Sequence, residues 1–156
     1  MKQRKQIIQP KAGGFKPARF PIGFWNYAPV RQFEPGCVKD WADCGMTLPM
    51  SPDTKPGADD HARLRAILDA AEQAGIGVIV CHAHSYATYL KANGETAYRR
   101  DFEELAKEFG NHPAVFGFHV GDEPDTAHFP CYCSAIRIQK EIAPHLSPFC
   151  NLLPMF

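Results

Sequence analysis

Two continuous apolar runs, Gly77 to Cys81 (GVIVC) and Ala114 to Val120 (AVFGFHV), limit the possible folds more than any other feature of the sequence. A strand without polar alternation needs cover on both faces, and a parallel sheet flanked by helices supplies it. The flanking segments read as those helices. Leu64, Ile67, Leu68 and Ala71 follow helical spacing up to Gly75 at the C-terminal cap, and Asp59 or Asp60 is placed to cap the start. From Thr96 to Phe109, Tyr98, Phe102, Leu105, Ala106 and Phe109 form one face, with Arg99, Arg100, Glu103, Glu104, Lys107 and Glu108 largely on the other. Gly110 and Pro113 end that helix.

The same alternation extends along the chain. Phe20 to Tyr27 is β-like, Val38 to Cys44 a short helix ended by Gly45, and Met46 to Met50 a second strand. Pro130 to Ala143 reads as a fourth helix stopped by Pro144, and Phe149 to Leu153 as a fifth strand. Residues 1 to 19 are polar and read as a flexible arm, leaving 20 to 156 as one α/β unit of order βαβαβαβαβ. The first strand-to-helix turn, Asn26 to Val30, lacks a glycine-rich phosphate loop, so a dinucleotide fold loses its main support. A complete (β/α)8 TIM barrel takes about 250 residues. The expectation is therefore a partial barrel of about five parallel strands and four helices, truncated after the fifth strand.

Lysine plus arginine and aspartate plus glutamate number 17 each, so no global field attracts nucleic acid or an anionic membrane. A small neutral substrate suits this balance. The basic MKQRKQ start runs into Gln9-Pro10-Lys11 without an apolar core, and no stretch approaches the ~20 residues needed to span a bilayer. A chain without an export signal, favouring the cytoplasm, is expected. The six cysteines lack zinc-site spacing, and a chain of this size needs no disulfide staples, so free thiols are expected. The oligomeric state is open.

Chemistry in such a fold gathers at the carboxyl ends of the strands. Those positions hold Trp25, Asn26 and Tyr27; Ser51 and Asp53; His82, His84, Ser85 and Tyr86; Asp122 and Glu123; and Pro154 to Phe156. Aromatic rings beside hydrogen-bonding groups suit sugars, whose apolar faces stack while their hydroxyls take fixed partners. Gly121 and Pro124 bracket the two carboxylates Asp122 and Glu123 where a buried strand ends. Catalysis accounts for that placement better than a solvated turn does, although a turn explains Asp125 well. His119 is placed to face the barrel interior.

The run Asn111-His112-Pro113-Ala114-Val115-Phe116-Gly117-Phe118 leading into Gly121-Asp122-Glu123-Pro124 resembles the fourth-strand signature of the clan A retaining glycoside hydrolases, the β-galactosidase and cellulase-like superfamily. The resemblance implies a TIM-barrel glycosidase with Glu123 as general acid/base, needing no cofactor. Asp122 and Asn26 would bind hydroxyls, and Trp25, His82, His84 and Tyr86 would line the sugar site. Asp122 stands where clan members usually have asparagine, and the clan's nucleophile lies at the end of a seventh strand. On that reading this chain is the N-terminal part of such an enzyme. Two alternatives compete: a metal-dependent barrel hydrolase using the His82-x-His84 pair, and a non-catalytic carbohydrate-binding fragment.

Overall fold

The computed structural model describes residues 14–152. Its regular sheet has three parallel strands, β1 (Val78–Val80), β2 (Val115–Asp122) and β3 (Phe149–Asn151), in the order β1-β2-β3. Two further extended segments continue it. The Thr47 and Leu48 amides donate to the Ile22 carbonyl at 2.8 and 2.9 Å, and the Ser51 amide donates to Ile79 O at 2.9 Å. Parallel bridges join Pro29 to Asp53, Met50 to Ile79 and Thr54 to His82. All five extended segments thus lie side by side in chain order, which is the arc of a (β/α) barrel. A doubly wound sheet would reverse its order part-way.

The first two segments were expected as strands but form only bridges. Pro21, Pro29, Pro49 and Pro52 remove ladder donors there, which accounts for the irregularity. Gly23 is required at this seam, since a Cβ would stand 2.1 Å from the Leu48 carbonyl oxygen.

Four helices, α1 (Cys37–Asp43), α2 (Ala58–Ala74), α3 (Ala87–Phe109) and α4 (Phe129–Ile142), connect the segments. Helix α2 ends as expected at Gly75, whose φ of +69° suits a residue without Cβ. Its start differs from expectation: Gly57 occupies the N-cap, and Asp60 is buried in the first turn instead. There Asp60 accepts from Arg31 Nε at 2.8 Å and from the Lys55 amide at 3.1 Å, so its carboxylate is already engaged away from the cap. Helix α3 begins at Ala87 rather than Thr96, passing a kink at Gly94, where φ is +80°. Glycine alone takes that angle cheaply, which is why the periodicity is visible only beyond it.

Residues of β1 alternate between two cores. Val78 and Val80 join Leu64, Ile67, Leu68, Phe102, Phe118 and Ile138 beneath the helices, whereas Ile79 and Cys81 join Leu48, Met50, Trp25, Tyr86, Phe116 and Phe149 on the inner face. This two-sided burial explains the uninterrupted apolar run. Trp41 packs in the outer core against Phe24 and Phe33. All six cysteines are free. No described helix is long and apolar enough to cross a membrane.

The expected arm, residues 1–19, lies largely outside the described residues, as do Pro154 to Phe156 at the expected end of the fifth strand. The described part of the arm is tied down at Phe15. Its amide donates to Val115 O at 2.9 Å and its ring joins the inner core.

Candidate active site

On the inner face, the strand ends bring aromatic rings and polar groups to one place. The Trp25 and Tyr27 rings stack with centroids 6.0 Å apart and planes 9° from parallel, Tyr27 being exposed. Trp25, Tyr86 and Phe149 surround the His119 imidazole at 5.2, 5.6 and 6.0 Å. The Tyr86 hydroxyl donates to Asp53 Oδ1 at 2.5 Å. Burial pushes the Tyr86 phenol well above its ordinary range, with Cys81 and Asp53 adding to the effect, so it stays a donor. Asn26 holds a turn by accepting from the Ala28 amide at 3.1 Å, while its Nδ2 is buried with no partner among the described residues.

At the end of β2, Asp122 accepts from Asn151 Nδ2 at 2.8 Å. Phe149 belongs to the inner core and Cys150 to the outer, so strand alternation turns Asn151 inward, and Asp122 with it. Asp122 and Asp53 both act electrostatically on His119.

Glu123 follows with φ of +43°, the sole positive-φ non-glycine among the described residues. Its amide donates to Asn151 O at 2.9 Å. Such angles cost energy in residues with a Cβ and gather at functional sites. Glu123 lines a groove of about 250 Å³ between the starts of α3 and α4, with Thr88, Lys91, Asp125, His128 and Tyr132. In that groove His128 meets Lys91 Nζ at 2.6 Å and Asp125 at 2.6 Å.

The expected partners of Glu123 are elsewhere. His82 Nδ1 accepts from the His84 amide at 3.1 Å, and its Nε2 meets His61 Nε2 at 3.1 Å. His61 Nδ1 in turn meets Glu108 at 2.8 Å. These bonds set the tautomers: His82 donates from Nε2 to His61, and His61 donates from Nδ1 to the carboxylate. Burial pushes the His82 imidazole down to about 3, with His84 and His61 adding to it. The His84 ring packs on Tyr89 of α3, and burial lowers it too. Both histidines therefore face helices, because the chain turns into a short 3-10 turn, Ala83–Ser85, as soon as the strand ends.

Of the residues singled out in the sequence, the structure gathers Trp25, Tyr86 and Asp122 at the inner strand ends, whereas Asn26, which follows the inner Trp25 and precedes Tyr27, holds its own turn through the Ala28 amide. No hydrogen bond or ring contact among the described residues joins His82 or His84 to Asn26 or Glu123. His119, Asp53 and Tyr27 take their places on the inner face. Strand-end positions were the signal for Asp53 and Tyr27, and for His119 it was its place inside β2, facing the barrel interior. Asn151 had no such signal, since only its pairing with Asp122 reveals it.

Comparison with known proteins bears on this arrangement. Residues 83–139, from the turn after β1 to the last part of α4, match the family model described as Beta-galactosidase, a glycoside hydrolase family. Over those residues the chain is glycoside-hydrolase-like. A solved structure of the exo-beta-D-glucosaminidase CsxA, studied for its inhibition by a glucosamine-configured castanospermine and an amino-australine analogue, aligns at 16% identity and a TM-score of 0.41. The alignment covers 82% of this chain and 16% of that enzyme. No curated protein matches the sequence.

Proposed function

We propose that this chain carries the acid/base half of a retaining glycoside hydrolase, with Glu123 as the general acid/base. The observation that carries the reading is the match of residues 83–139 to the Beta-galactosidase family, with the Gly121-Asp122-Glu123-Pro124 turn inside it at a parallel strand's carboxyl end. The strained backbone at Glu123 and the aromatic inner face support it. Glu123 protonates the departing oxygen and later deprotonates water. A second carboxylate about 5 Å away attacks the anomeric carbon. The resemblance puts that group on a seventh strand, beyond the five parallel segments described here.

A second reading assigns the acid/base role to Asp122, because Asp122 shares the inner side with His119, Asp53 and Trp25, whereas Glu123 lines the groove against the helices. Paired variants in protein carrying the complete barrel separate the two. With Glu123 as the acid, Glu123→Gln slows an alkyl β-galactoside by about 10²–10⁴ and spares a dinitrophenyl galactoside, whose leaving group needs little protonation. Azide then yields a glycosyl azide. An unaffected Glu123→Gln with the same losses in Asp122→Asn moves the role to Asp122. No hydrolysis by the complete protein, with sugar still bound, leaves a carbohydrate-binding module. The metal-dependent reading gains no support, since both ring nitrogens of His82 are engaged by protein groups.

A further inference from the structure

We propose that His119 is a sugar-positioning residue whose Nε2–H donates to a substrate hydroxyl. This rests on the carbohydrate reading above and assigns that site a further specificity group.

The His119 side of β2 is rigidly held. The Ser85 hydroxyl donates to the His119 carbonyl at 2.8 Å, and three rings enclose the imidazole. On the ring itself, Nδ1 lies 3.9 Å from the Cys81 sulfur. Burial pushes the Cys81 thiol up to about 12, with Asp53 adding to it, so the sulfur keeps its proton, and in the tautomer we assign that S–H faces an accepting Nδ1. Burial also lowers His119, against the opposite pull of the Gly121 backbone, Asp122 and Asp53. The ring is therefore neutral, and in that tautomer its single proton is on Nε2.

That Nε2 is buried and has no hydrogen-bond partner among the described residues, while the residue as a whole is 6% exposed. Leaving a buried donor unpaired is costly, and folded chains rarely tolerate it without a use. The surroundings say which use fits. Trp25 and Tyr27 offer stacked rings, and Asp53 and Asp122 offer acceptors. An unpaired donor beside carboxylates and indole suits a polyol, whose hydroxyls both accept and donate.

The test uses protein carrying the complete barrel and isopropyl 1-thio-β-D-galactopyranoside, a thioglycoside that is not readily hydrolysed, followed through the imidazole nitrogen resonances. The expected result is a His119 Nε2 shift on addition of the sugar, with the His112 and His145 resonances unmoved. His119→Phe keeps the ring volume and removes the donor, so its Tm should hold or rise while the sugar binds at least about fivefold more weakly. His119→Gln, which restores an N–H donor, should recover most of that loss. Sugar binding unchanged in His119→Phe would overturn the role of His119 and leave the carbohydrate reading standing, the orphan nitrogen then holding only water. If His119→Phe does not fold, a saturating titration of the wild type without a His119 shift overturns the proposal. Wild type that binds no sugar at all would remove the carbohydrate reading together with it.

Discussion

Beneath the helices, Phe102 stacks on Tyr98 at 6.0 Å with planes 4° apart and meets Phe118 edge-on, and the Tyr98 hydroxyl donates to Ser85 O at 2.8 Å. On the inner face of the same sheet, Trp25, Tyr86 and Phe149 enclose an imidazole whose Nε2 has no partner. Both regions are aromatic and both bury a histidine. On the outer side His82 has both nitrogens bonded, whereas on the inner side His119 has one left over. Burial alone therefore does not mark a site. A buried polar group that is fully satisfied stabilises a core, and one that is not points to a missing ligand.

The sharpest way to break this contrast is a truncation on the outer side. Phe102→Ala removes a fully buried ring from between Tyr98 and Phe118 and should cost about 3–5 kcal/mol in urea denaturation. A loss below about 1 kcal/mol would show that the helices do not depend on this packing.

The paired histidines allow a pH test of intermediate size. Folding holds the His82 imidazole near 3, whereas an unfolded histidine titrates near 6.5. Between those values the unfolded chain binds one more proton than the folded one, so stability falls as the pH drops below about 6.5 and keeps falling toward 3. From pH 7 to pH 5 this histidine alone removes about 2 kcal/mol. His82→Gln should flatten the profile by about that amount. His119, lowered by burial, contributes in the same direction and should leave a residual slope in that variant. A wild-type stability equal at the two pH values would mean that neither ring is kept neutral by folding.

How much of this was legible beforehand depends on period. The α2 face of Leu64, Ile67, Leu68 and Ala71 and its stop at Gly75 follow from helical spacing, and β1 follows from an apolar run bounded by turns. Asp122 and Glu123 were visible as a strand exit. The direction of His82 and His84 was not, since a two-residue spacing implies one shared face only while the strand continues, and here it passes into a 3-10 turn. The bulges in β2, near Val115 and between His119 and Gly121, hide its facing in the same way. Asp60 looked like a cap because the sequence does not reveal that Arg31 reaches it from another element.

The inner face should also be the softer of the two, and Gly77 offers the means to measure it. A Cβ at Gly77 would stand 2.2 Å from the Phe15 ring, so Gly77→Ala must push that ring out of its seat. The backbone bond from Phe15 to Val115 and the strand pairing of β1 need not change, because the clash is with a side chain. What is lost is the contact of one partly buried phenylalanine with the inner core, worth about 1–2 kcal/mol by area. Denaturation midpoints should therefore fall less for Gly77→Ala than for Phe102→Ala, and Phe15→Ala should match Gly77→Ala. Combining the two changes should cost little more than either alone, since they remove the same contact. Full additivity in that cycle, or a loss as large as that of Phe102→Ala, would mean that the inner face is packed as tightly as the outer and has no slack to admit a ligand.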